Sequence, residues 1–198
     1  MLDTYDHEVI VDAITFAAKK HKGDFRKKTD IPYIVHPMEA AAIAAAMTSD
    51  PNVIAAAVLH DVIEDTGTSL EELSKKFNET ICRLVAQESE KKGPKGTEKE
   101  TWKQRKQETI DSLGDEDNLN VKIIALADKL SNIRAIHRDL NNPEIGETLW
   151  SRFNQKDPKM QGWYYYSMIG ALKDLEQFDA WKEYKRLVEE VFVRYCYE

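Results

Sequence analysis

Apolar residues recur along this 198-residue chain at intervals of three and four, the period of amphipathic helices rather than of strands. Between Asp6 and His21, the side chains of Val9, Ile10, Ala13, Ile14, Ala17 and Ala18 form one stripe, and Gly23 supplies the stop. An alanine-rich helix is expected from Pro37 to Met47. Asp50-Pro51 reads as an N-cap followed by proline at the first helical position, opening a helix that runs through Ala55–Leu59 and on to Thr66-Gly67-Thr68. Ser69-Leu70-Glu71-Glu72 starts another, with helical pattern continuing past Phe77 to Ile81, Leu84 and Val85. Residues 88–100 are polar and broken by Gly93, Pro94 and Gly96, which predicts a mobile loop. Two further helices follow, Trp102 to Leu113 and Val121 to Leu140, and then an aromatic-rich segment past Asn141-Asn142-Pro143. Its Trp150, Phe153, Trp163, Tyr164, Tyr165, Tyr166, Trp181 and Tyr184 read first as packing residues. Convincing alternation and Asn-Gly hairpins are missing, so the expected fold is all-α, a single-domain bundle of about eight to ten helices over 1–198, with room for a small two-stranded element.

Composition narrows what such a bundle does. With 42% hydrophobic residues and no run able to span a bilayer, a packed core without a membrane segment is expected. The start Met1-Leu2-Asp3-Thr4-Tyr5-Asp6 has neither a basic n-region nor an apolar h-region, which makes the cytosol the default compartment. Cys82 and Cys196 read as reduced thiols. A net charge of −7 argues against a partner as large and anionic as a long nucleic acid. Small phosphorylated substrates stay open, because a local basic patch and a metal ion suffice for them.

The chemistry is concentrated in Ala55–Thr66, where His60, Asp61, Glu64 and Asp65 enter an otherwise apolar run. On one continuous helix His60 would stand over Glu64 and Asp61 over Asp65, giving two adjacent columns of ligands and bases. One helix cannot close a metal site, and hard divalent cations take mixed imidazole and carboxylate sets. His36, just before Pro37, and Asp128, which interrupts the apolar helix around Ala125–Leu130, are the candidate partners. An unpaired buried carboxylate at Asp128 would otherwise be costly. Asn132 follows Asp128 by one helical turn in an apolar setting where an amide needs a partner. The basic stretch Lys19–Lys28 reads by composition as a solvated loop. His137 reads as a surface or core-edge histidine.

His36, His60-Asp61 and Asp128, in that order, resemble the H…HD…D signature of the HD-domain phosphohydrolases. Glu64-Asp65 after the HD pair, His21–Lys27 upstream, Pro32-Tyr33-Ile34-Val35-His36-Pro37 and Ala127–Arg134 are similar to the hydrolase branch of the RelA/SpoT family. Its single-domain members are the small alarmone hydrolases, including the metazoan SpoT homologues. The resemblance covers roughly residues 8–140. It implies one divalent ion, Mn2+ in the family, on His36, His60, Asp61 and Asp128, with Glu64 and Asp65 positioning or deprotonating water. It further implies Arg26 and Lys27 on a diphosphate, Asn132 on the nucleoside, and removal of the 3′-diphosphate from guanosine alarmones such as ppGpp and pppGpp. His21 belongs to the pattern but reads as structural. Asp24 replaces the familiar glutamine, the Arg26–Pro32 connection is one residue longer than the commonest form, and Ser89-Glu90 stands where Thr-Asp is frequent. Lys91 and Lys92 are open to a substrate contact or to solvent. Other readings are an adenosine alarmone or a nicotinamide dinucleotide phosphate as substrate, a non-catalytic nucleotide sensor, and a structural bundle keeping a metal. Glu64-Asp65 speaks against the sensor, which needs no water-activating carboxylates. No nucleotidyl-transfer domain is expected, and hence no alarmone synthesis.

Overall fold

A computed structural model describes residues 5–89 and 100–195. The expected loop at 88–100 with Lys91 and Lys92, and Cys196, fall almost entirely outside the described residues. Ten α-helices account for most of the described chain, with three short 3-10 segments and no strand longer than a single bridge among them. The order is α1 (Tyr5–Lys20), α2 (Val35–Ala45), α3 (Pro51–Leu59), α4 (Val62–Thr66), α5 (Leu70–Ser74), α6 (Glu79–Glu88), α7 (Trp102–Gly114), α8 (Leu119–Leu140), α9 (Pro158–Ala171) and α10 (Asp179–Phe192). The all-α expectation therefore holds.

The chain divides into two compact units, Met1–Ser89 with Ile123–Ser131, and Glu90–Lys122 with Asn132–Glu198. In the first, α3 packs against α1, α2 and α6. Its Ala55, Ala56, Ala57, Val58 and Leu59 are all fully buried, as expected of a helix that is apolar on every side. Alanine at these positions, and at Ala40 and Ala44 of α2 and Ala13 and Ala17 of α1, lets the backbones approach closely. Asp50 caps α3 as anticipated, accepting from the Asn52 backbone N–H at 2.9 Å, with Pro51 in the first turn.

Two expected helices are interrupted. The one carrying the HD pair stops at Leu59 and resumes at Val62, with Asp61 at φ −94° and ψ −6°. Successive side chains on a regular helix diverge by about 100°. His60 keeps helical dihedrals at φ −54° and ψ −37°, so the departure from regular geometry begins at Asp61. The second interruption separates α5 from α6. Ser69 caps α5 through the Glu72 N–H, as expected, but Asn78 then starts a new helix by accepting from the Ile81 N–H at 3.0 Å. Local side-chain capping competes here with helix continuation.

In the second unit α9 packs against α7 and α10. Trp150, Tyr164, Tyr165 and Tyr184 are buried, so the packing reading of these aromatics holds. Tyr184 donates to the Tyr165 carbonyl at 3.0 Å. Gly162 packs tightly against Phe192: a Cβ there would lie 3.1 Å from the ring, which would have to give by a few tenths of an ångström. Arg134 forks onto Glu183 at 2.8 and 2.6 Å, and His137 pairs with Glu190 at 3.1 Å, a core-edge histidine as expected. Helix α8 runs unbroken through both units, lending residues 123–131 to the first.

Candidate active site

Three elements of the first unit deliver the site: the start of α2 with His36, the break between α3 and α4 with His60 and Asp61, and the middle of α8 with Asp128. His36 Nε2 lies 3.1 Å from Asp128 Oδ1 and 3.5 Å from Asp61 Oδ2. His60 Nε2 lies 2.9 Å from Asp61 Oδ2 and 3.7 Å from Asp128 Oδ1. Ligand atoms of His36, His60 and Asp128 all fall within 4.8 Å of one another, and all three residues are buried. Four side chains from three segments remote in sequence thus converge on one point.

Their hydrogen bonds favour a cation at that point. His60 Nδ1 is 2.8 Å from the Ala57 carbonyl oxygen, which only accepts, so Nδ1 carries the ring proton. The neutral ring then presents a lone pair at Nε2, which is buried and has no hydrogen-bond partner among the described residues. It faces the lone pairs of two carboxylates. A divalent ion resolves that repulsion, and imidazole plus carboxylate is a suitable donor set for one. Without metal a proton does the same: burial pushes the His60 imidazole down, but Asp61 and Asp128 overcome this and hold it well above the usual histidine range. For His36 burial prevails over the Asp128 contact and lowers it. Burial would raise Asp61, yet the His60 imidazole holds it below the usual carboxylate range. Asp128 is likewise depressed against the effect of burial, chiefly by the neighbouring Lys129 ammonium, which donates to its Oδ2.

The residues around this centre were only partly foreseen. Tyr33 donates its phenol to Asp61 Oδ2 at 2.6 Å. Burial, then Asp61 and Asp65, push that phenol far upward, so it remains a donor, and Asp65 is thereby placed within electrostatic reach. The signal was available, since Tyr33 precedes His36 by three residues, but tyrosine at a buried helix start also reads as packing. Glu88, at the end of α6, is pushed up to about 7 by burial, partly offset by Lys129. Glu64 is half-buried and Asp65 exposed, both on α4.

Arg26 and Lys27 lie on a small looped element. Phe25 and Pro32 form an isolated antiparallel bridge, the Arg26 N–H donates to Ile31 O at 2.9 Å, and Lys28 takes a left-handed φ of 54°. The small two-stranded element for which the pattern left room is thus reduced to a single bridge among the described residues. The Arg26 guanidinium sits over the Tyr33 ring at 5.7 Å from its centroid, which ties it to the Asp61 side of the site, whereas Lys27 is exposed. His21 is buried, with its ring 4.8 Å from that of Tyr33, so it backs the tyrosine from inside. Asn132 is half-buried on α8, one turn beyond Asp128, and belongs to the second unit.

The family description "HD domain" matches residues 13–152. The chain belongs to the HD-domain family. Among relatives within it, the Drosophila melanogaster protein named guanosine-3′,5′-bis(diphosphate) 3′-pyrophosphohydrolase MESH1 is 34% identical over 143 residues, 71% of this chain and 75% of that protein. The human MESH1 protein is 36% identical over 132 residues, 65% of this chain and 70% of its own. The Aquifex aeolicus protein named guanosine-3′,5′-bis(diphosphate) 3′-pyrophosphohydrolase is 34% identical over 131 residues, but this chain spans only 18% of its length. A solved structure described as a metazoan ortholog of SpoT that hydrolyzes ppGpp superposes with a TM-score of 0.69, covering 98% of this chain and 99% of that one at 24% identity. A Listeria monocytogenes crystal structure gives 0.69 at 28% identity, over 82% of this chain and 96% of its own. The HD family match thus spans α1 to α8, and the likeness of fold extends over 98% of this chain. A divalent-metal site is in keeping with both the family and the buried His36, His60 and Asp128 group.

Proposed function

We propose that this chain is a metal-dependent phosphohydrolase that removes the 3′-diphosphate from guanosine alarmones, working as one HD-type domain in the cytosol. The carrying observation is the buried convergence of His36, His60, Asp61 and Asp128, with acidic α4 leading directly away from it. The names of the MESH1 relatives support the substrate.

In this reading the four residues hold one Mn2+, and His60 is pre-set for it by its bond to Ala57 O. An ion held there would supply positive charge to the phosphoryl oxygens and would lower the pKa of a water. Glu64 and Asp65 orient that water and accept its proton as it attacks phosphorus. The water oxygen bonds to phosphorus as the bond from phosphorus to the ribose 3′ oxygen breaks, and the departing oxygen takes up a proton from solvent, so that diphosphate and a 3′-hydroxyl are left. Arg26, held over the Tyr33 ring, and Lys27 neutralise the diphosphate. Asn132, the next residue on Asp128's stripe of α8, takes the nucleoside. No helix among the described residues is long and apolar enough to cross a membrane, and a small nucleotide suits a chain of net charge −7 once the ion and the Arg26 loop supply local positive charge.

The test is release of diphosphate from ppGpp and pppGpp by protein reloaded with Mn2+, against the same protein with chelator. Adenosine alarmone and the reduced nicotinamide dinucleotide phosphate run in parallel. Faster, metal-dependent turnover of either parallel substrate would transfer the assignment to it. Metal binding with no turnover of any would leave a sensor or structural bundle.

A further inference from the structure

Ser131 stands between His36 and a carboxylate that the hydrolytic reading does not use. Its Oγ is 2.8 Å from His36 Nδ1 and donates to Glu39 Oε2 at 2.8 Å. Ser131 is buried on α8, and Glu39 is half-buried on α2. The spacing is reciprocal: Glu39 lies three residues beyond His36, and Ser131 three beyond Asp128, so each shares a helix face with a candidate ligand.

The direction of the chain of bonds follows from donor capacity. A serine hydroxyl has one proton and two lone pairs, whereas a carboxylate only accepts. The Ser131 proton is therefore committed to Glu39, and what Ser131 offers His36 is a lone pair. Nδ1 must then carry the proton of the neutral His36 ring. That leaves Nε2 as the unprotonated nitrogen, turned toward Asp128 Oδ1 and Asp61 Oδ2. At His60 the equivalent task falls to a backbone carbonyl, which no substitution can remove. At His36 it falls to two side chains from different helices.

We infer that Glu39 and Ser131 are positioning residues, a relay that sets the tautomer and rotation of His36 and thereby the affinity of the centre for a divalent cation. This rests on the metal reading above and adds to it residues that never touch the ion. The spacing also ties α2 to α8 directly behind the centre, so the relay holds the His36 to Asp128 separation as well as the tautomer.

The test uses the full chain stripped of metal, as wild type, Ser131→Ala, Glu39→Ala, the double variant and Ser131→Thr. Mn2+ affinity is read by competition with a fluorescent chelator, metal-free stability by urea unfolding, and the His36 tautomer by long-range 1H–15N spectra of histidine-labelled protein. Ser131→Ala is expected to weaken Mn2+ binding by about ten- to a hundredfold, the usual effect of removing an outer-shell partner. Glu39→Ala should weaken it less, in the same direction. The double variant should be no weaker than Ser131→Ala, because Glu39 acts through the serine. Ser131→Thr, which keeps a hydroxyl, should restore affinity, and the Nδ1–H signature of His36 should be present in wild type and lost in Ser131→Ala. A tie that merely braces α2 against α8 would lower urea stability while leaving Mn2+ affinity and tautomer unchanged, and that result overturns the relay. So does an undiminished effect of Glu39→Ala in the Ser131→Ala background. Should Ser131→Ala not fold, Glu39→Ala alone decides by the same two readouts, its side chain being partly exposed. Wild-type protein that binds no Mn2+ would instead overturn the metal reading beneath the relay.

Discussion

Replacing Tyr33 by phenylalanine removes one oxygen atom from the centre and little else. The phenol donates at 2.6 Å to Asp61 Oδ2, the same oxygen that lies 2.9 Å from His60 Nε2 and 3.5 Å from His36 Nε2. A bond from a neutral donor to a buried carboxylate is worth about 1.5–3 kcal/mol. Its loss should raise the Kd for Mn2+ by roughly ten- to a hundredfold, since about 1.4 kcal/mol corresponds to a factor of ten. The ring itself stays, so its contacts with the His21 and His36 rings, at centroid distances of 4.8 and 5.9 Å, should preserve the fold. A chelator-competition titration measures the affinity. The Mn2+-dependent rise in Tm gives an independent reading, because stabilisation by a ligand follows the ratio of its concentration to Kd. Tyr164→Phe is the matched control: its buried hydroxyl has no hydrogen-bond partner among the described residues, so removing it should leave Mn2+ affinity unchanged and cost no stability. Equal Mn2+ affinity in wild type and Tyr33→Phe would refute the reasoning, as it would mean that Asp61 Oδ2 does not contribute to the ion.

Glu64→Gln and Asp65→Asn should each keep the ion but lose turnover by about a hundredfold or more, the scale of general-base assistance; steady-state kinetics on reloaded protein decides, and a normal kcat in both would return these residues to an ordinary polar helix end. Arg26→Ala should cost roughly ten- to a hundredfold in kcat/KM if the guanidinium meets diphosphate. Lys19→Ala is the proper comparison, being exposed, whereas Lys20 already pairs with Glu72 at 2.7 Å; equal small losses in both would leave the loop a solvated charged segment. Glu88 carries the pH prediction for metal-free protein. Its carboxyl binds a proton more tightly folded than unfolded, so its ionisation costs stability as pH rises from the ordinary glutamate range through about 7. Glu88→Gln should therefore raise Tm relative to wild type at pH 8 and not at pH 4, and a shift of equal size at both would contradict the burial argument.

Helicity, the order of the helices and the identity of the four convergent residues were legible in the chain itself. Period-3.6 patterning and capping residues such as Asp50 and Ser69 are local signals, written within a turn or two of where they act. His60, Asp61 and Asp128 stood out because charged or imidazole groups in apolar helical runs demand a partner, and His36, just before Pro37, by its place in the H…HD…D order. The break at His60-Asp61 was not legible, since no glycine or proline marks it. Nor could sequence spacing reveal that Tyr33 bonds to Asp61, 28 residues on, or that Ser131 lies between His36 and Glu39, more than 90 residues away. Those pairings depend on how α2, α3 and α8 meet. Tyrosine, serine and glutamate are ordinary as residue types at these positions, and Tyr33, Ser131 and Glu39 acquire a distinct chemistry only because tertiary packing aims them at the imidazoles and carboxylates of the candidate site.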